Sequence, residues 1–396
     1  MIRFITKNTE GITPDRLPPE KPDGRLRLLI VTMKYTGLRS IGLEFEKFCA
    51  QRDDVDAVSV LFDPPLWLKV LCHPLPTEVV YDYSAERMLA GWRWYIRRWF
   101  DRALPLERFD AVHCTQQLVS MGVLDQRRPG AWPVVCPNLD ATAWNVIDEW
   151  GDSERWNRPM IAAERRIFAE SEVIASTSEW ASESLVRRYG VGREKIVWAP
   201  PTSEVLPRPD LEPGVPLPDR KPRILFIGNN WVRKGGQRLL EIHQKHFKDR
   251  AELHAVSRER PADTPPLPGV VWHGQVPRDR LVNEIVPSCD LFCMPSQRDT
   301  SCWPAVEAQG AGLPVVVPRM TGIPDLVEHG KTGFVVDTTD DREYIEAIET
   351  LISDRERCRA MGRAGQDLVR RQFTRDVVFG RIVEAMKQAR ARVGRG

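Results

Sequence analysis

The hydrophobic positions of this chain fall into short unbroken apolar runs, separated by stretches where apolar residues recur every three to four positions. Arg27–Met33 (RLLIVTM), Val55–Phe62, Asp110–Cys114, Val134–Cys136 and Val173–Ala175 read as strands. An unbroken run rather than an alternating one means both faces of the strand are covered, as in a parallel sheet. Between them, a Gly-containing loop, Lys34–Gly42, leads into an amphipathic helix at Leu43–Gln51, and Ser182–Tyr189 is helical. Prolines 200, 201, 207, 209, 213, 216, 218 and 222 leave little room for a helix or a central strand, so 201–222 reads as a linker. A second alternation follows: strand 223–227, helix 235–247, strands 252–256 and 270–273, helix 278–286, strand 290–294, a short helix, strands 315–317 and 333–336, and helices 341–353 and 355–372. Strands alternating with helices predict the α/β class: two Rossmann-like domains, at 26–200 and 223–375, facing across a cleft. Residues 376–396 form a last helix with a basic tail, expected to return to the N-terminal domain. The charged, Pro-rich 1–25 reads as a flexible arm.

Composition narrows the functional classes. The 396 residues, 42% of them hydrophobic, suit two cores. Lys+Arg 57 against Asp+Glu 55 gives +2, so no bulk charge draws the chain to nucleic acid. The eight cysteines include no C-x-x-C pair, and several sit in apolar runs; buried thiols in a reducing compartment are expected, not a disulfide frame or a metal site. The N-terminus lacks the apolar core of a signal peptide, and no run approaches the ~20 residues needed to span a bilayer. The expectation is a cytoplasmic protein. Arg87–Arg102 interleaves arginines with Met88, Trp92, Tyr95 and Trp99 at helical spacing. Such a helix suits contact with an anionic membrane surface, or packing on the N-terminal sheet with its arginines in water.

Candidate chemistry concentrates in Asp290–Val317, DLFCMPSQRDTSCWPAVEAQGAGLPVVV. Leu291–Pro295 is a strand, Ser296–Trp303 a polar loop, and Pro304 suits the first turn of a helix stopped by Gly310 and Gly312. Asp299 lies in the loop beyond the strand's C-terminal end, and Glu307 lies eight residues on, in the helix. In an open α/β sheet ligands bind at that edge. Carboxylates there can accept hydroxyl protons, and helix N–H groups can hold phosphates.

These residues resemble the E-x7-E signature of the retaining glycosyltransferases of family 4, with Asp299 in place of the first Glu. The resemblance runs on through Gly312-Leu313-Pro314-Val315-Val316, Gly322-Ile323-Pro324-Asp325 and Thr332–Asp337. Upstream it takes in Phe226-Ile227-Gly228, Arg233-Lys234-Gly235-Gly236, Glu164–Phe168, Ala175–Trp180 and Tyr189-Gly190-Val191. It implies the GT-B architecture and transfer of a sugar from a nucleotide-diphosphate donor to a hydroxyl acceptor, on a glycan, a lipid carrier or a small molecule. It implies no cofactor beyond the donor and no metal.

The resemblance also assigns roles. Lys234 matches the family's diphosphate lysine. Asn229 stands where the family has Arg after Gly228, so Arg233 is the candidate for the missing charge. Glu307 matches the acid that holds the ribose, and Asp299 the acid at the transferred sugar. Thr300, Ser301, Cys302 and Trp303 replace a small Gly-rich stretch beside the donor. Val276, before Pro277, matches a loop beside the base. On the acceptor side, Gly37 and Gly42 suit a loop facing the diphosphate, or a plain turn. His113 ends a strand where the family often has a histidine, though it reads first as a structural one. Asp140 is the candidate for contact with acceptor or sugar, or else a turn-former before a helix. A nucleotide-sugar epimerase of the same architecture and a non-catalytic nucleotide-sugar-binding protein remain as alternatives.

Overall fold

The computed structural model describes residues 3–5, 24–33, 38–62, 91, 93–95, 97–98, 105–128, 132–212, 215, 219–259, 266–337 and 339–393. The chain divides into two compact units, Met1–Ala199 with Val378–Gly396, and Pro200–Val377.

In the first unit the described strands are β1 (Arg3–Ile5), β2 (Leu26–Met33), β3 (Val55–Phe62), β4 (Ala111–Cys114), β5 (Val134–Leu139), β6 (Ile174–Ser176) and β7 (Ile196–Trp198). They form one parallel sheet in the order β1-β3-β2-β4-β5-β6-β7. The apolar run of β2 lies at its centre and is covered on both faces; Leu28, Leu29, Ile30 and Val31 are wholly buried. Arg27 interrupts that run without exposing it. Its guanidinium forks onto Asp110, Nε to Oδ2 at 3.0 Å and Nη2 to Oδ1 at 2.8 Å. Burial raises the Asp110 carboxyl, but the bonds from Arg27 outweigh it and hold the group below its usual range. The arm expected at 1–25 is not wholly free, because Arg3–Ile5 pairs with β3 as an edge strand. The first helix, α1, spans Leu38–Ala50, so it starts before Gly42 and not after it. Next come α2 (Ala143–Trp150), α3 (Glu154–Glu170) and α4 (Glu179–Tyr189).

The second unit holds β8 (Arg223–Ile227), β9 (Glu252–Val256), β10 (Val270–Trp272), β11 (Leu291–Cys293), β12 (Val315–Pro318) and β13 (Gly333–Val336). They form a parallel sheet in the order β10-β9-β8-β11-β12-β13. Its helices are α5 (Gly236–His246), α6 (Trp303–Gly310), α7 (Asp341–Ser353) and α8 (Arg355–Leu368). The strand order runs outward in one direction from β8 and in the other from β11, so the topology reverses between these two neighbours. In open α/β sheets such a switch point, beyond the strand ends, is where ligands bind.

The Pro-rich segment is not a bare tether. Leu211 is buried, Leu206 N donates to the Gly310 carbonyl at 2.9 Å, and Gln366 Nε2 donates to the Leu206 carbonyl at 2.7 Å. A segment whose prolines keep it out of a ladder still presents carbonyls, and α8 side chains take up those of Leu206, Leu211 and Val215. The last helix, α9, spans Arg375–Val393, and from Val378 on it belongs to the first unit. Phe379 packs its ring on Phe45 and Phe48 of α1 at 5.0 and 5.8 Å, while Lys387 pairs with Asp54 and Arg390 with Asp110.

Candidate functional site

The loops that leave β8 and β11 meet at the switch point of the second sheet. The first runs Gly228–Gly235. Gly235 has φ +78°, and a Cβ there would lie 1.9 Å from the Pro295 carbonyl oxygen, so the loop after β8 can rest on the loop after β11 only with glycine in place. Gly228 leaves room for the Lys234 side chain, whose Cβ would lie 2.9 Å from a Cβ at that glycine. The amide of Gln297 donates to the Arg233 carbonyl at 2.9 Å, and the Arg233 guanidinium donates to the Arg298 carbonyl at 2.6 Å. These contacts place Lys234 Nζ on Asp299 Oδ2 in an ion pair, with side chains only 16% and 7% exposed. Such a pair is held in medium drier than bulk water, where each charge is felt strongly.

Asp299 also fixes its own loop, Oδ1 accepting from Thr300 N at 3.1 Å. The chain then enters α6 with Pro304 in the first turn. Glu307, one turn in, is mostly covered and pairs with Arg278 across 2.7 Å. Arg278 follows Val276 and Pro277 after β10, so this bond joins the half-buried Val276 loop to α6. The buried Cys302 thiol lies within electrostatic range of all three central charges. Burial raises it most, Asp299 and Glu307 raise it further, and Lys234 opposes them. Lys234 and Asp299 meet directly, and Glu307 follows on the helix that the Asp299 loop enters.

Some expected donor-side residues do not offer their side chains. Cys302 is wholly buried, its Sγ 3.9 Å from Met294 Sδ, and Ser301 is buried as well. An apolar thiol packs inward while the backbone follows the loop, so in the 300–303 stretch Thr300 and Trp303 are the half-buried side chains. Asn229 is exposed, and its Oδ1 accepts from Arg258 N at 3.4 Å. Among the described residues no group of three or more His, Cys, Asp or Glu is arranged to hold a metal ion.

A family model of the glycosyl transferases group 1 matches residues 221–354, the unit that carries this constellation. A second model, the glycosyl transferase 4-like domain, matches residues 35–202, and together the two span most of the chain. The chain belongs to the group 1 glycosyltransferases. The D-inositol 3-phosphate glycosyltransferase of Xylanimonas cellulosilytica is 28% identical to it over 265 residues, 61% of this chain but 63% of that relative's length. Sucrose-phosphate synthase from Thermosynechococcus elongatus superposes with a TM-score of 0.67 at 15% identity, over 93% of this chain and 100% of that one. HepE of Anabaena, solved with UDP-glucose, gives 0.64 at 15% identity, over 92% and 100%. At those identities the likeness is one of fold, the two-domain GT-B architecture.

The acceptor-side candidates of this glycosyltransferase fare differently. Gly37 lies outside the described residues. Gly42 is not in a loop but in α1, where a Cβ would strike Thr32 Oγ1 at 2.0 Å; the glycine lets the helix lie close on β2. His113 is not at an open strand end either. It is buried in β4 with its ring edge-on to Phe45 at 4.9 Å, and burial pushes its imidazole down to about 4. It packs as a neutral aromatic group. Asp140 lies in the bend after β5, half-buried, and accepts from Thr177 Oγ1 at 3.0 Å.

Beside Asp140 lies a group whose role the sequence pattern leaves open. Glu164 of α3 is buried and accepts from Ala143 N at 3.0 Å, from Gln117 Nε2 at 3.2 Å and from the Tyr189 hydroxyl. Its carboxylate thus caps the start of α2, directly after the bend that carries Asp140. Burial, the largest cause, pushes the carboxyl up to about 7, against the pull of these donors. Glu164 lies in the resembling run Glu164–Phe168, and that was the available signal. No helix among the described residues is long and apolar enough to cross a membrane.

Proposed function

We propose that the chain transfers a sugar from a nucleotide-diphosphate donor to a hydroxyl acceptor, with retention of anomeric configuration. The observation that carries this reading is the Lys234–Asp299 pair at the switch point of the second sheet, with Glu307 on the helix that follows. On this reading the diphosphate displaces Asp299 as the partner of Lys234. Arg233 and the first N–H groups of α6 add positive charge to the same oxygens. Glu307 accepts hydrogen bonds from the ribose hydroxyls, and Asp299, released, faces the transferred sugar. The bond from anomeric carbon to phosphate breaks with its electron pair on the diphosphate. The acceptor oxygen forms the new glycosidic bond, and its proton passes to the departing phosphate oxygen. Cations held where that charge develops lower the barrier without needing a protein nucleophile.

The first unit is assigned the acceptor, with Asp140 as the candidate group to contact it. The Xylanimonas relative, a D-inositol 3-phosphate glycosyltransferase, makes a phosphorylated polyol the first acceptor to try. Trp94, 55% exposed with the Arg98 guanidinium 5.7 Å from its ring centre, supports a membrane-facing surface for a lipid-linked alternative. Buried free thiols at all seven described cysteines support a reducing, cytoplasmic setting.

The test is a thermal-shift panel with UDP, GDP, ADP and dTDP, followed by incubation of the matching glucosyl or mannosyl donor with inositol 3-phosphate. One nucleotide is expected to raise Tm, since a ligand that binds only the native state stabilises it. A glycoside should then appear by mass spectrometry. Failure of every nucleotide to shift Tm sinks the reading. Isomerised donor in the absence of acceptor would instead establish epimerase chemistry.

A further inference from the structure

Among the described residues Thr321 alone departs from negative φ without being glycine, at φ +50°. A β-branched side chain is poorly suited to that region, and residues held there mark a place where something else over-determines the backbone. What holds Thr321 is its hydroxyl. Oγ1 donates to the Asp299 carbonyl at 2.6 Å, with the Thr300 carbonyl also in reach at 3.2 Å. From the next residue, Gly322 N donates to the Thr300 carbonyl at 3.3 Å. The turn after β12 therefore grips the carbonyls of Asp299, whose carboxylate pairs with Lys234, and of Thr300, whose amide donates to that carboxylate.

We propose that Thr321 is a positioning residue for the donor sugar: its left-handed backbone aims a hydroxyl that fixes the Asp299–Thr300 peptides, and with them the Asp299 carboxylate. The inference rests on the donor-site reading above and assigns a role to a residue outside the paired-acid pattern. Its reach is confined to the sugar end of the donor. Glu307 and the start of α6 hold the nucleotide through other bonds, so nucleotide affinity should not depend on Thr321.

The experiment compares Thr321→Val, Thr321→Gly and Thr321→Ser in the full chain, using the nucleoside diphosphate that gives the largest Tm rise and its glucosyl or mannosyl donor. Val keeps the shape and loses the hydroxyl. Gly also loses the hydroxyl and relaxes the backbone. Ser keeps the hydroxyl. Loss of one such hydrogen bond corresponds to roughly tenfold. The expected result is a kcat/KM for the intact donor about tenfold lower in Val and Gly, recovery in Ser to about threefold of the parent, and an unchanged Kd for the nucleoside diphosphate in all three. The Gly variant should melt no lower than the Val variant. Parental kcat/KM in Val and Gly overturns the proposal, as does an equal loss of nucleotide binding and turnover. Asp299→Asn run alongside separates the two levels. If it collapses turnover while Thr321→Val does not, only this inference fails. If Asp299→Asn has no effect, or no nucleotide binds, the donor-site reading fails and this inference with it.

Discussion

The strand ends of the two sheets use their polar residues in opposite ways. At the switch point of the second sheet, Lys234 and Asp299 face each other in a loop crevice, and Glu307 faces an arginine that is 66% exposed. Their charged partners are groups that a ligand of the right charge can replace. In the first unit, Glu164 is enclosed by an amide, a carboxamide and a phenol, and His113 is sealed against Phe45. The bonding capacity of Glu164 goes to the fold, and the His113 ring packs in the core. A charge at a sheet edge therefore reads as function when its partner is exchangeable, and as architecture when its partners are neutral, several and buried.

The sharpest way to break this comparison is Lys234→Ala. If Lys234 neutralises a departing diphosphate, its loss should cost kcat about 10²–10³-fold, the range for removing one well-placed stabiliser of developing charge. The fold should survive with some loss of Tm, because Asp299, though buried, keeps the Thr300 amide as a donor when Lys234 is gone. Steady-state kinetics with the donor identified by thermal shift measures it. A loss below tenfold would make the Lys234–Asp299 pair architecture, like the Glu164 cluster.

Glu164 supplies the converse test, on stability. Its carboxyl is raised to about 7 from 4.5 by burial. A raised carboxyl binds its proton more tightly in the folded state, so its stabilising contribution is complete below about pH 4.5 and is lost as pH rises through about 7. The size is on the order of 3 kcal/mol from the shift, with the Tyr189 and Ala143 bonds already included in it. Glu164→Gln cannot titrate. The stability difference between the parent and this variant should slope between pH 4.5 and 7 and flatten above, in urea unfolding followed by tryptophan fluorescence. A difference independent of pH would show that Glu164 stays ionised and that its donors, not burial, decide its state.

Glu307→Gln comes next in size. It keeps the shape and removes the charge, so hydrogen bonds from ribose hydroxyls should weaken by about 1–2 kcal/mol, roughly tenfold in the Kd of the nucleoside diphosphate by calorimetry. An unchanged Kd would move Glu307 into the architectural class.

Much of this contrast was legible before the structure. The apolar runs located β2, β3, β8 and β9 closely, because a strand covered on both faces has no polar alternation to blur it. Asp299 and Glu307 were legible because loop and helix follow each other directly in sequence. The helix α3 was hidden by Pro159, which sits inside it and breaks the local pattern, and by a polar face that masks Ile161, Ile167 and Phe168. Long-range pairings were not legible at all. Nothing in Val276-Pro277-Arg278 announces Glu307, and the αL position is taken by Thr321 and not by the glycine or asparagine that usually marks one. The linker likewise read as loose because the pattern of prolines reports missing ladder bonds, while its anchors are supplied by Gln366 and Arg208 side chains.

Arg278 gives the smallest expected effect and the finest test of the exchangeable-partner idea. Its side chain is 66% exposed, so the bond to Glu307 is screened and contributes about 0–1 kcal/mol to the fold. Arg278→Ala should leave Tm within a degree or two. Its effect on donor binding has two opposed parts. Removing the arginine frees the Glu307 carboxylate for ribose, which favours binding. It also leaves that carboxylate uncompensated near a diphosphate, which disfavours binding, and more so at low salt because the Debye length grows from about 8 Å to about 30 Å. The repulsive part should win at 10 mM salt, raising the Kd of the nucleoside diphosphate a few-fold, and the gap should close by 0.5 M. Arg278→Lys should behave as the parent at both salts, since it keeps the charge beside Glu307. A gap that persists at high salt would mean that Arg278 contacts the nucleotide itself. A tighter Kd at low salt would mean that the bond to Glu307 holds the site shut.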